Sequence, residues 1–513
     1  MRQLTANAFQ ACDMAVVPAS DDYIANTSTE NVPAGQAFEA GGVLSAVIEG
    51  GASMGAARGT GGAGLETDSR SSLEPASPAP EPSLVNDMPA DEPVVAASGE
   101  KPATALAMKG PYPPAANRPT QAGPEGIFFD FNEGCRVLLP PRETGSWRAR
   151  LSDLDTGNIL FETENKGALI RSSKRWYVRI AIEVWSIDEG HAEPRLVLNH
   201  EYDAAGHDVL IQFPLGTLGD SIAWFSYACR FGERHPGCRV TCAMSPLIIP
   251  LLRDAYPDIR FVAPEDVTAQ KIAESAYATY SLGLFFTDAA CEHQPVDFRF
   301  VGLHRTAAYI LGVDLEEKPP RLALPDDSRP IAEPYAIIAV QATSGAKYWN
   351  NPNGWREIVA FLKARGYRVI CIDQKPVHGT GIMWTHIPHG VEDETGDKPL
   401  AERARWLKHA SLFIGLSSGL AWLAWAAECP TVLISGFTHP TNEFTNPYRV
   451  INWHTCNSCW NDPKFSFDHK DFLWCPRHAN TPRQFECTRL ITAAHVKRVI
   501  ETIPGFSAPI ATN

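Results

Sequence analysis

Positive charge is in short supply in this sequence: 45 Lys and Arg face 59 Asp and Glu, a formal charge of -14 over 513 residues. A protein that works by gripping a phosphate backbone needs a basic footprint, so nucleic acid is excluded as the main partner. Long apolar runs are missing as well. The N-terminal stretch MRQLTANAFQACDMAVV lacks the continuous apolar segment of a secretory signal. The most apolar stretch, GLAWLAWAAECPTVLISG, is broken by Glu428 and Pro430, and reads as a buried helix and strand, not a membrane span. Of the 12 cysteines, eight are scattered through strand and helix patterns, such as Cys371 in RVICID. Without an export signal, that usage points to a reducing cytoplasm and against disulfides.

What is present falls into four stretches. Residues 1–125 are rich in Ala, Gly, Pro and Ser, as in GGASMGAARGTGGAGL and EPASPAPEPSL. Such a segment has too little apolar surface to offset its ordering entropy, and a disordered tail is expected. Residues 126–204 hold short runs rich in β-branched and aromatic residues, including GIFFDFNEGCRVLLPP and WYVRIAIEVWS. Turn signals separate them, which predicts a small antiparallel β module. From about 205 to 328, DVLIQF, CRVTCAM and IRFVAP read as strands alternating with the helical IAWFSYACRFGERH and SPLIIPLLRDAYP. After the Pro-rich EEKPPRLALPDDSRP the alternation restarts over 329–513, with YAIIAVQAT, YRVICID, LFIGLSS and PTVLISG as strands. Strand–helix alternation implies βαβ units and parallel sheets. The expected fold class is therefore α/β with two Rossmann-like domains, and ligands in such sheets bind at the carboxyl ends of the strands.

Four strand-end loops carry the candidate chemistry. In FPLGTLGDSIAW, Gly216 and Gly219 permit close backbone approach and Asp220 opens a helix. An aspartate there caps its helix or, facing a cleft, serves as a general base toward a hydroxyl. In QATSGAKYWNNPNGW, Gln341, Thr343, Ser344 and Lys347 follow a buried strand. A cation beside hydroxyls there suits a diphosphate leaving group, although most lysines are simply solvated. In LFIGLSSGLAW, Ser417, Ser418 and Gly419 precede a helix whose free backbone N–H groups would hold an anion. Small residues there also serve close strand-to-helix packing. The loop SGFTHPTNEF carries Asn442 and Glu443, a weaker signal by itself.

The order of these loops resembles the ADP-heptose-using heptosyltransferases of the GT-B class. With the β module and a C-terminal Cys-rich stretch, residues 126–505 resemble the bacterial autotransporter O-heptosyltransferases. The resemblance implies Asp220 as the base. It also implies sugar-nucleotide contacts at Thr217, Leu218, Gly219, Gln341, Thr343 and Lys347, with Ser417, Ser418, Gly419, Asn442 and Glu443 as further candidates. Lipopolysaccharide heptosyltransferases place an aspartate where this chain has Ser417-Ser418-Gly419, a departure that favours the protein-modifying branch. The implied activity is inverting transfer of heptose from ADP-heptose to serines of a cytoplasmic autotransporter passenger, by a large homo-oligomer such as a dodecamer. A lipopolysaccharide-core heptosyltransferase and a non-catalytic nucleotide-binding scaffold are the alternatives.

Cys456, Cys459, Cys475 and Cys487 form a C-x2-C pair followed by two further cysteines within the irregular segment 454–490. Four thiolates specify a closed tetrahedral site suited to zinc or iron, with no open position for catalysis, so its role is structural. The residues alone suggest zinc; the resemblance implies one iron per chain.

Overall fold

The computed structural model describes Met14–Pro18 and residues 112–191, 193–214 and 218–506. Most of the stretch expected to be a disordered tail lies outside these residues. Its final part does not behave as a tail: residues 112–125 are held against the first domain. The Tyr112 hydroxyl donates to the Leu282 carbonyl at 2.6 Å, the Thr120 hydroxyl to the Ala276 carbonyl at 2.6 Å, and Gln212 donates to the Pro113 carbonyl at 3.2 Å. The buried Arg136 reaches the Ala116 carbonyl at 2.7 Å while paired with the buried Asp130. Polar groups that burial would otherwise leave unsatisfied bind this chain segment, which composition alone does not reveal.

The β-rich stretch divides between two sheets. Strands β1 (Met14–Pro18), β2 (Gln121–Ala122), β3 (Phe128–Asn132) and β4 (Arg136–Leu139) belong to one. β5 (Ser146–Asp153) and β6 (Ile159–Asn165) belong to the other, β7 (Ala168–Ser172) returns to the first, and β8 (Ile180–Ile187) and β9 (Arg195–Glu201) complete the second. The second sheet, in order β6-β5-β8-β9, is antiparallel. Burial alternates residue by residue along β5 and β8, as expected where one face packs and the other is wet.

The first sheet runs straight into the first Rossmann-like domain, because β3 pairs in parallel with β13 (Ala278–Ser281). That domain holds β10 (Asp208–Gln212), helix α1 (Leu218–Arg234), β11 (Arg239–Ala243), β12 (Arg260–Val262) and β13 (Ala278–Ser281), with the order β13-β10-β11-β12. The second domain has its own parallel sheet. β14 (Tyr335–Ile338), β15 (Arg368–Cys371), β18 (Glu392–Asp393), β19 (Leu412–Leu416), β20 (Thr431–Ile434) and β21 (Arg449–Val450) are arranged β18-β15-β14-β19-β20-β21. β14, β19 and β20 are buried along their whole length, the signature of strands covered on both faces. A hairpin of β16 (Val377–Thr380) and β17 (Met383–His386) stands apart from that sheet.

Of the second-domain helices, α2 (Gly419–Ala426) matters most for the site. It follows β19 directly and packs on α1 of the first domain. Glycines make the close approach possible at the helix starts. A Cβ on Gly219 would stand 2.7 Å from Trp422 Cδ1, and one on Gly419 would stand 2.9 Å from Leu218 Cβ and 3.2 Å from the Gly219 nitrogen. The N-terminal ends of the two helices therefore meet, one from each domain.

Candidate active site and four-cysteine segment

Two helix N-termini directed at one place present free backbone N–H groups and two positive dipole ends, a setting for a polyanion. Asp220 sits half-buried in the first turn of α1. Leu218 and Gly219 share that turn; Thr217 lies outside the described residues. Lys347 approaches from the second domain on a short 3-10 turn, Gly345–Lys347, whose N-cap Ser344 accepts a hydrogen bond from the Ala346 nitrogen. Burial lowers the Lys347 ammonium below its ordinary value, while the nearby carboxylates of Asp220 and Glu443 act to raise it. Asp220 of the first domain and Glu443 of the second are both near enough for their charges to act on Lys347. Tyr112 joins this neighbourhood: burial raises its hydroxyl, and the charges of Glu133 and Asp220 add to the effect.

Glu443 is buried and already engaged. Its Oε1 accepts from Ser417 Oγ at 2.5 Å and Thr438 Oγ1 at 2.7 Å, and its Oε2 from Arg449 at 2.5 Å. Burial alone would raise this carboxyl, yet Arg449 and the two hydroxyls hold it below the usual value. Asn442 faces the cysteine segment, accepting from Trp460 Nε1 at 3.1 Å and Asn461 Nδ2 at 3.3 Å. Ser418 is the N-cap of α2, and its buried hydroxyl has no hydrogen-bond partner. Thr343 is exposed, and Gln341 donates to the Lys375 carbonyl. The structure thus gathers Asp220, Lys347, Ser417, Ser418, Gly419 and Glu443. Arg449, Thr438, Tyr112 and Trp460 were not singled out from the sequence: Thr438 and Trp460 lie inside stretches that were, but no local pattern distinguishes them there.

Cys456, Cys459, Cys475 and Cys487 all lie in the irregular segment, and the first two are the pair whose sulfurs are seen close together. Cys456 and Cys459 sulfurs lie 4.0 Å apart, close to the ~3.8 Å edge of a tetrahedron with metal–sulfur bonds near 2.3 Å. Cys487 is pushed up to about 12, by burial and then by the proximity of Cys456 and Cys475. Arg477 donates to Cys456 Sγ at 3.6 Å. Among the described residues no group of three or more Cys, His, Asp or Glu stands in a finished metal-holding arrangement. Thiols are nonetheless the donor type of a structural zinc or iron site, and a metal ion binding there would displace their protons.

The two-domain α/β architecture with paired helix N-termini is the GT-B-like fold of glycosyltransferases. The family model "Glycosyltransferase TibC, N-terminal domain" matches residues 123–188, and "Glycosyltransferase family 9 (heptosyltransferase)" matches residues 299–471. Autotransporter heptosyltransferase BAHTCr of Citrobacter rodentium is 53% identical over 75% of this chain and 91% of its own length. The solved structure of the bacterial iron-containing dodecameric glycosyltransferase TibC, from enterotoxigenic E. coli H10407, is 53% identical with a TM-score of 0.70, covering 76% of this chain and 98% of its own. A second TibC structure is a complex with ADP-D-beta-D-heptose. BimC of Burkholderia thailandensis, named an inactive autotransporter heptosyltransferase, is 46% identical over 83% of this chain and 96% of its own. The chain belongs to the autotransporter heptosyltransferase family. Among the described residues no helix is long and apolar enough to cross a membrane.

Proposed function

We propose that this chain transfers heptose from ADP-heptose to serine hydroxyls of an autotransporter passenger, with inversion at C1. The observation that carries the reading is the meeting of the Asp220-bearing start of α1 with the start of α2, with the Asp220 charge reaching Lys347. A serine hydroxyl is a poor nucleophile, so Asp220 takes its proton as the Oγ–C1 bond forms. The bond from C1 to the β-phosphate oxygen breaks, and ADP leaves with the electron pair. Lys347 and the N–H groups at Ser417, Ser418 and Gly419 stabilise the charge gathering on the diphosphate. Leu218 and Gly219 from the first domain and Gln341, Thr343 and Ser344 from the second contact the sugar nucleotide in this reading, with Thr217 a further expected contact. Glu443, through Ser417, and Asn442 hold the donor side in place.

In this reading residues 205–328 form the acceptor and base side, and 329–513 the nucleotide-sugar side. One iron per chain, with zinc as the alternative, is held by Cys456, Cys459, Cys475 and Cys487. The protein acts in the cytoplasm as a homo-oligomer, a dodecamer like TibC.

Because one relative is named inactive, turnover is the decisive measurement. Incubation with ADP-heptose and a Ser-rich passenger, followed by intact mass, is expected to add heptose units. Asp220→Asn keeps the helix start but cannot take the proton, so transfer should fall by roughly 10²–10⁴-fold with ADP affinity near wild type. Lys347→Ala should lower both. Near-normal transfer by Asp220→Asn would remove the base assignment.

A further inference from the structure

Trp460 follows Cys459 directly and is buried. Its ring lies against Phe467 at 4.8 Å, Phe437 at 5.4 Å and the first-domain Phe286 at 5.4 Å, centroid to centroid. The Lys347 ammonium sits 5.7 Å from the Trp460 ring centroid and 5.5 Å from that of Phe437. The Trp460 indole N–H reaches Asn442, and its backbone N–H donates to the Phe437 carbonyl at 3.2 Å. The same cysteine segment grips the lysine loop elsewhere. The Phe472 carbonyl accepts from the Gly345 nitrogen at 2.9 Å and the Ser344 hydroxyl at 3.2 Å, and Thr488 accepts from Asn350 at 2.9 Å.

We infer that Trp460 is a positioning residue for the donor site, through which the four-cysteine segment sets where the Lys347 charge sits. A lysine ammonium rides on a flexible four-carbon stem, and a half-buried one is held by whatever negative surface it can find. The faces of Trp460 and Phe437 add a directional hold, by cation–π attraction, to the longer-range pull of the Asp220 and Glu443 carboxylates. The segment then does more than staple an irregular stretch: folding it around its thiolates delivers a ring to the lysine. The inference rests on the proposed role of Lys347 at the diphosphate.

The test is a double-mutant cycle on ADP affinity by calorimetry, with metal content measured on each protein. Trp460→Leu is expected to weaken ADP about tenfold, the order of one desolvated cation–π contact. In a Lys347→Ala background the same change should cost less than about threefold, and metal content should match wild type in both. Site-specific fluorinated tryptophans at position 460 keep the shape while draining the ring's negative face, so they report even where Trp460→Leu does not fold. ADP affinity should fall stepwise with fluorine number. Equal losses in both backgrounds, or no trend with fluorination, would overturn the inference while leaving the donor-site reading standing. Unchanged ADP affinity in Lys347→Ala alone would instead refute that reading and the inference with it.

Discussion

Glu443→Ala is the most demanding test of how the donor side is held. The Glu443 and Arg449 side chains are 1% and 8% exposed, so removing the carboxylate strands a buried guanidinium. Arg449 would keep bonds to the Thr438 carbonyl at 2.8 Å and hydroxyl at 3.0 Å, but its Nε already has no partner. Ser417 Oγ would also lose its acceptor. Breaking a buried ion pair from one side costs about 3–5 kcal/mol. At roughly 2–4 °C per kcal/mol for a domain of this size, the melting temperature should drop by about 10 °C at pH 7. The sign with pH follows from the depressed carboxyl. Its stabilisation is present above the ordinary carboxylate value, about pH 4, and is lost as pH falls through the lower folded value. The gap between wild type and Glu443→Ala should therefore close on acidification. Differential scanning calorimetry across pH 3–8 is the assay. A variant melting within 2 °C of wild type at neutral pH would refute the account, as would a gap undiminished at pH 3.

Asp373 should show the opposite pH dependence. Burial raises its carboxyl to about 6, so ionising it costs the fold, and stability should decline as pH rises from about 4 to 6. Asp373→Asn can still accept from the Val340 nitrogen, which donates to Asp373 at 2.7 Å. Melting curves should show it gaining on wild type between about pH 4 and 6 and keeping that gain at higher pH, and equal profiles would contradict the assignment. Gly219→Ala would drive a Cβ to 2.7 Å from the buried Trp422. It should cost about 1–3 kcal/mol by overpacking and lower kcat/KM, since the two helix starts must part; unchanged kinetics would sink the paired-terminus reading. Cys456→Ser should lose metal by elemental analysis and melt earlier, because closed four-sulfur sites act through folding. Near-stoichiometric zinc in the wild type would reassign the metal and leave that role intact.

Local pattern decided a good deal in this protein. Alternation of buried strands with helices carries the two parallel sheets, because strands covered on both faces must be continuously apolar, as LFIGL is. Glycines, hydroxyls, Asp220 and Lys347 at strand ends mark the loops that a sheet directs to one edge. Cysteine spacing marks the irregular segment as a candidate metal site for the same kind of reason: ligand type and interval are local properties. Tertiary structure alone decided the rest. Residues 112–125 look like the disordered tail before them by composition, and it is polar groups across the fold, on Asp130, Arg136 and Gln212 and the Ala276 and Leu282 carbonyls, that give them partners. Glu443 looks like an ordinary loop acid until β19 brings Ser417 and β21 brings Arg449 beside it. The contact of Trp460 with Lys347 joins stretches far apart in the chain, and no local propensity encodes it. Such pairs exist because burying apolar surface in packed layers brings distant residues together, and a charge or hydroxyl buried with them must then find its partner there.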